Sequence, residues 1–266
     1  MTSKLGTALI TGASSGIGAI YADRLAARGY DLILVARNHG RLNELAKKLS
    51  DSHGHSVEVV VADLTEREDL RRVENLLRTN MGITALVNNA GIGVTASLSD
   101  VDVDKLDEMI SLNVRALMRL SYAAAPGFVE RGGGAIINIA SITGIAPEVI
   151  PGAGVYGGTK AFVIAFTQSL HKELAAKSLR IQAVAPGATA TDFWEIVGIP
   201  VSHLPQEIVM DAEDMVDAAL AGFDQGELIT IPSLPDMADW EAYETSRQKL
   251  MPNLSRKEPA KRYQRQ

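Results

Sequence analysis

The two residues best suited to moving a proton are Tyr156 and Lys160, in the stretch Tyr156-Gly-Gly-Thr-Lys160 that opens an apolar run, AFVIAFTQSL. On a helix, positions four apart lie on one face, so the phenol and the ammonium can share a site. A free phenol has a pKa of about 10. A nearby ammonium favours the phenolate and lowers that value, which makes the pair a usable general acid and base. The spacing by itself also describes an ordinary surface pair, so the surroundings carry the argument. Ser141 ends one short apolar run, Asn88-Asn89-Ala90-Gly91 ends another and Pro186-Gly187 follows a third. In an open parallel sheet ligands sit beyond the carboxyl ends of the strands, where these residues would meet.

A second chemistry is written in Thr11-Gly12-Ala13-Ser14-Ser15-Gly16-Ile17-Gly18, which joins the first apolar run to a helical stretch with Ile20, Leu25 and Ala26 on its inner side. Gly12, Gly16 and Gly18 let the chain turn tightly and approach a diphosphate, and the helix N-terminus offers amides to its oxygens. Ser14, Ser15 and Ile17 complete the cradle. The glycine spacing is G-x-x-x-G-x-G and not the commoner G-x-G-x-x-G. The second run ends Leu-Val-Ala36-Arg37, where a carboxylate would grip the ribose 2′-hydroxyl of NAD. Arg37 instead offers a planar fork that matches a 2′-phosphate, which selects NADP(H) over NAD(H). Asp63, followed by Leu64, has two readings: an acceptor for the adenine amino group, or the cap of the next helix.

These residues need a scaffold that brings strand ends together. Apolar runs at 8–11, 31–36, 57–62, 85–88, 135–140, 180–185 and 228–231 alternate with helical periodicity. The pattern predicts a single-domain α/β Rossmann fold over residues 1–266, a seven-stranded doubly wound parallel sheet with helices on both faces. The runs are nearly continuous in apolar residues, as expected where both faces of each strand are covered. Residues 192–210, with Phe193, Trp194, Ile196, Val197, Ile199 and Pro200, read as a substrate lid, ahead of a helix capped by Asp211 with Asp214 three residues on. Residues 232–252 hold a further helical stretch whose Trp240 and Tyr243 read as packing against the core.

Taken in order and at these distances, T-G-x-x-x-G-x-G, N-N-A-G, Ser141, Y-x-x-x-K and P-G resemble the short-chain dehydrogenase/reductase family over residues 6–231. The resemblance implies Tyr156 as proton donor or acceptor, Ser141 as hydrogen-bond partner of the substrate oxygen, and Lys160 as ligand of the nicotinamide ribose that also depresses the Tyr156 pKa. It implies that Asn113, otherwise a polar residue inside a helix, holds a water in the proton relay. Asn89, Ala90 and Gly91 would line the adenosine side, while Pro186, Gly187, Thr189 and Thr191 would lie along the nicotinamide. The activity implied is hydride transfer between NADP(H) and a small carbonyl or alcohol. A 3-oxoacyl-thioester reductase would share every one of these residues, and a non-catalytic NADP(H)-sensing protein is a third possibility.

Composition narrows the field. Of 266 residues, 46% are hydrophobic and 22% charged, an ordinary globular balance. The absence of cysteine excludes disulfides, thiolate nucleophiles and zinc-thiolate sites, and a reducing cytoplasm fits. The N-terminus lacks the apolar stretch of a signal peptide, and no run is long enough for a transmembrane helix. No metal site is indicated: His53 and His55 lie in a hydrophilic loop read as solvated, and His39, His171 and His203 carry no stronger signal. The net charge of −6 is uneven: residues 247–266 hold seven Lys/Arg and one acid, so the remainder is strongly acidic. That argues against nucleic acid as a partner. The basic tail has two readings, a solvated terminus or a strap on an acidic neighbouring subunit. A homo-oligomer, dimer or tetramer, is expected from pairing of the edge strand at 228–231 across a two-fold axis. The apolar pocket-lining segments 92–98, 141–155 and 193–204 favour a hydrophobic carbonyl.

Overall fold

The computed structural model describes residues 5–95 and 99–263. In chain order the strands are β1 (Thr7–Thr11), β2 (Asp31–Ala36), β3 (Val57–Val61), β4 (Ile83–Asn88), β5 (Gly134–Ile139), β6 (Leu179–Val184), β7 (Thr189–Ala190), β8 (Met210–Asp211) and β9 (Ile229–Thr230). The helices are α1 (Gly16–Ala27), α2 (His39–His53), α3 (Arg67–Thr79), α4 (Val103–Ile110), α5 (Leu117–Glu130), α6 (Gly154–Leu174), α7 (Phe193–Ile196), α8 (Ala212–Gln225) and α9 (Met237–Leu250). One parallel sheet runs β3-β2-β1-β4-β5-β6-β9, the doubly wound order with its switch point between β1 and β4. Each predicted strand is present, within two residues at either end.

Alternate residues of each strand serve opposite faces. Ala8 and Ile10 of β1 join a core with Leu32, Leu34, Tyr21, Leu25 and Phe223, beneath α1, α2 and α8. Leu9, Ile33 and Val35 join a second core with Leu70, Leu77, Phe128 and Leu170, beneath α3, α5 and α6. The continuous apolar runs thus reflect two cores separated by one sheet. The β1–β4 pair shifts register between Thr7 and Ala8, and beyond that shift Ile10 lies opposite both Leu34 and Val87.

Several local expectations are corrected. Asp211 occupies the N-cap of α8 but its side chain makes no cap bond; its backbone pairs with Ala190 in β8. Asp63 does not cap α3, which starts four residues later behind Glu66; its carboxylate instead accepts from Thr65 N and Oγ1 at 2.9 and 2.6 Å, closing a turn. The seventh strand shrinks to two residues, both buried, which leaves little exposed edge for pairing with another strand. The compact unit carrying the sheet ends at Pro232, and Ser233–Gln266 form a second unit. In that second unit Trp240 stacks on Tyr243 with ring centres 5.2 Å apart, and Trp240 is partly buried.

Candidate active site

The phosphate loop is shaped by contacts that only glycine permits. Gly12 has φ +65°, and a Cβ at Gly18 would collide with the Gly12 carbonyl oxygen and lie 2.5 Å from Asn89 Nδ2. Ser14, Ser15, Gly16 and Ile17 remain partly exposed at the start of α1, and Ser15, the N-cap, makes no side-chain bond to the helix. The first-turn amides and the positive end of α1 therefore stay available to an anion. Asn89 ties this loop down, donating from Nδ2 to Thr11 O at 2.9 Å and Gly12 O at 3.2 Å. Thr11 completes the knot: its hydroxyl accepts from Asn89 N and Ala90 N, both at 3.0 Å. Thr11 was not among the expected site residues. Its signal is the branched hydroxyl residue placed directly before Gly12, but its partner lies 78 residues away.

Arg37 follows β2 with its side chain 64% exposed, and its Nη1 lies 3.7 Å from Asp63 Oδ2. Among the described residues a second guanidinium, Arg41, stands in the first turn of α2 with Nη1 3.6 Å from Asp192 Oδ2. Both pairs are long and solvent-exposed, so an incoming phosphate would meet cations that are weakly held. Sequence reading passed over Arg41, although its place four residues after Arg37 was the available clue. Leu64 is buried. The fit to a dinucleotide phosphate is good: a cradle with no room for side chains at Gly12 and Gly18, a helix N-terminus, and exposed guanidinium groups after β2 and in the first turn of α2.

Ser141 follows β5 as N-cap of a 3-10 turn over Ile142–Gly144. The turn and α6 touch backbone to backbone: a Cβ at Gly144 would lie 2.6 Å from Lys160 C, and one at Gly157 would lie 2.9 Å from Thr143 O. Tyr156 and Lys160 sit in the first two turns of α6, as expected, with Lys160 Nζ 5.6 Å from the Tyr156 ring centre. Lys160 is buried and donates to Ile139 O at 2.9 Å. Gly91 lies against the same cluster, since a Cβ there would be 3.1 Å from Asn113 Oδ1 and 3.5 Å from Lys160 Nζ.

Asn113 lies not in a regular α-helix but in a π-helical stretch, Ser111–Ala116, between α4 and α5. Such bulges are frequent at functional sites. Its Oδ1 accepts from Ile92 N at 3.0 Å, and its Nδ2 donates to Ile92 O at 2.9 Å and Thr159 Oγ1 at 3.2 Å. Thr159 Oγ1 in turn donates to Tyr156 O at 2.7 Å. Asn113 therefore links the loop after β4 to the helix that carries Tyr156.

After β6, Pro186 O accepts from Ile142 N at 3.0 Å and Gly187 O accepts from Thr189 Oγ1 at 3.2 Å. The Thr191 side chain lies 3.3 Å from where a Gly16 Cβ would be, so this segment borders the phosphate loop. The segment over 192–210 is held at its base, where β7 pairs with β8 and the buried Trp194 donates Nε1–H to Thr189 O at 2.9 Å. Phe193 lies 5.8 Å from the Tyr156 ring, and Phe193 and Val197 pack on Gly93 so closely that a Cβ there would be 2.6 Å from the Phe193 ring.

Electrostatics in this cluster run against the expectation that Lys160 depresses Tyr156. Tyr156 keeps part of its surface open, yet dense protein around its hydroxyl pushes its pKa up to about 12, and interaction with Ser141 only partly offsets this. Burial likewise pulls Lys160 down to about 8. Desolvation dominates both groups. The histidine reading also changes: His53 Nε2 meets Asp23 Oδ1 at 3.0 Å, and His55 Nδ1 is 3.8 Å from Asp31, so neither is a freely solvated loop residue. No group of three potential metal ligands occurs among the described residues, and no helix there is long and apolar enough to cross a membrane.

Comparison with known proteins agrees with this architecture. The family model described as short chain dehydrogenase matches residues 6–198. The chain is similar to a short-chain dehydrogenase from Sphingobium yanoikuyae solved in complex with NADPH, at 48% identity over 97% of this chain and 100% of that one, with a TM-score of 0.93. It is also similar to the bulky-bulky ketone specific alcohol dehydrogenase from Comamonas testosteroni, at 42% identity over 99% of this chain and 100% of that one, with a TM-score of 0.90. A very-long-chain 3-oxoacyl-CoA reductase from Anas platyrhynchos is 35% identical over 71% of this chain and 61% of its own length.

Proposed function

This chain belongs to the short-chain dehydrogenase family and is an oxidoreductase, and we propose that it interconverts a bulky apolar carbonyl compound and its alcohol with NADP(H). The observation that carries the reading is the convergence of Ser141, Tyr156 and Lys160 at the carboxyl end of β5, on a turn and helix packed too tightly for a side chain at Gly144 or Gly157. When bound, NADPH supplies the hydride. Tyr156 then gives its phenolic proton to the oxygen that becomes negative, and Ser141 donates a hydrogen bond to the same oxygen, where charge develops. Lys160 would hold the ribose hydroxyls, and its ammonium favours the phenolate left behind. Asn113 fixes Thr159 and the loop after β4, and a water on its carbonyl oxygen carries the relay outward. Gly12, Ser14, Ser15, Gly16, Ile17 and Gly18 seat the diphosphate, Arg37 binds the 2′-phosphate, and Asp63, Leu64 and Asn89 to Gly91 line the adenosine.

NADPH in the Sphingobium protein supports this coenzyme, as does Arg37 where an acid would favour NAD(H). The ketone specificity of the Comamonas enzyme, Phe193 beside Tyr156 and Val197 against Gly93 support a bulky apolar substrate. The second reading, reduction of a 3-oxoacyl thioester, is supported by the Anas relative. A panel of carbonyl compounds with NADPH and NADH in parallel separates them. Turnover of aryl or branched ketones with NADPH is expected; turnover confined to 3-oxoacyl thioesters would establish the alternative, and coenzyme binding without any turnover would indicate a sensor. We further assign the protein to the cytoplasm and to a homo-oligomer. Support for assembly shifts from β9 to the aromatic side chains of α5 and α6, where Tyr122, 56% exposed, lies 5.9 Å from Phe166, itself stacked on Phe162.

A further inference from the structure

We propose that Thr143 is a positioning residue that locks the Ser141 hydroxyl as a hydrogen-bond donor toward the reacting oxygen. The inference rests on the catalytic reading of Ser141 and assigns a role to a side chain that the reading does not use.

A serine hydroxyl has one proton to give and two lone pairs to receive. Thr143 addresses both lone pairs: its backbone N–H donates to Ser141 Oγ at 3.2 Å and its own hydroxyl, Oγ1, lies 3.0 Å from the same oxygen. Thr143 is fully buried, so no bulk water competes for that hydroxyl. With its acceptor capacity filled by Thr143, Ser141 has only its proton left to offer a partner outside the turn.

The reaction makes this direction matter. In carbonyl reduction the phenol of Tyr156 must donate, so Ser141 cannot also receive the Tyr156 proton without drawing it away from the substrate oxygen. A Ser141 that accepts from Thr143 leaves the substrate oxygen facing two donors. The same arrangement explains why Ser141 acts to lower the pKa of Tyr156, since a hydroxyl that donates to a phenol oxygen favours its ionised form. The turn is also rigid. Gly144 abuts the Lys160 backbone and Gly157 abuts Thr143 O, so Thr143 moves with the helix that carries Tyr156 and Lys160.

The test uses the intact enzyme and a ketone that the parent reduces. Thr143→Val keeps the branched shape and deletes the donor, and Thr143→Ser restores it. For Thr143→Val, kcat for reduction is expected to fall about tenfold, the scale of one misdirected hydrogen bond. NADPH affinity, read by nucleotide fluorescence, should stay within about twofold of the parent, because Thr143 does not face the phosphate cradle. The rise of alcohol oxidation with pH should shift to higher pH, and Thr143→Ser should recover both rate and profile. Thr143→Ala serves as a second donor deletion with different packing if the valine protein folds poorly. Parent-like kcat and an unmoved pH profile in either donor-deleted protein would overturn the proposal, as would failure of Thr143→Ser to recover them. A parent inactive on all carbonyl compounds would instead overturn the catalytic reading beneath it.

Discussion

Lys160 should destabilise the protein that depends on it, by an amount that can be worked out. Its ammonium is buried, with Ile139 O at 2.9 Å as acceptor, and burial lowers its pKa from 10.5 to about 8. At pH 7 that displacement corresponds to about 3 kcal/mol against folding, at about 1.4 kcal/mol for each tenfold change. The sign follows from proton counts: between pH 8 and 10.5 the unfolded chain holds more protons at this site than the native one, so the contribution of Lys160 to stability improves as pH rises through that window. Lys160→Met removes the charge and keeps much of the bulk. Loss of the bond to Ile139 O takes back about 1 kcal/mol. The net gain at pH 7 is then about 2 kcal/mol, or about 4–8 °C in melting temperature. By pH 10 the gain should have vanished, because the parent lysine is then neutral in the native state. Thermal or urea unfolding of both proteins at pH 7 and pH 10, without coenzyme, measures the difference. Parallel stability across that range would refute the reasoning, and a less stable variant at pH 7 would show that the ammonium is well solvated in the native protein.

Tyr156→Phe keeps the ring and removes the hydroxyl, so turnover should fall by about 10²–10⁴ while NADPH titration shows retained binding; near-normal turnover would exclude Tyr156 as the proton donor. Arg37→Asp should weaken NADPH and raise relative use of NADH in steady-state assays, and a parent that already prefers NADH would remove the basis for assigning Arg37 to the 2′-phosphate. Deuterium uptake at residues 192–204 should fall when NADPH and a substrate analogue are added together, and equal uptake would count against a lid. Sedimentation at micromolar concentration should give a multiple of the 28.4 kDa chain mass, and a species of monomer mass would exclude stable assembly.

The scaffold was legible because its signals are local. Each strand is a short apolar run closed by a polar residue, glycine or proline, and the glycine pattern from Gly12 to Gly18 states its own backbone requirement. Tyr156 and Lys160 were legible because four residues on a helix fix their common face. What escaped depends on partners distant in the chain or on the finished environment. Thr11 meets Asn89 only when β1 and β4 pair, and His53 meets Asp23 only when α2 packs beside α1. The π-helical stretch around Asn113 adds a one-residue shift that apolar periodicity cannot register, since its neighbours remain buried at helical spacing. The rise in Tyr156 pKa was out of reach for another reason: sequence places the ammonium nearby, but whether attraction or desolvation prevails depends on how much protein surrounds the hydroxyl.

The division of the interior by the sheet has a consequence for mutational coupling. Leu9 and Ile10 are joined by a peptide bond, yet each belongs to a different core and their side chains share no apolar neighbours within either. Large-to-small changes at these adjacent positions should therefore be nearly additive in free energy. Leu9 and Phe128, far apart in the chain but in one core, should instead show a non-zero interaction energy. The two interiors can thus drift and repack as separate lineages of compensation, one under α1, α2 and α8 and the other under α3, α5 and α6, with the strands as the septum between them.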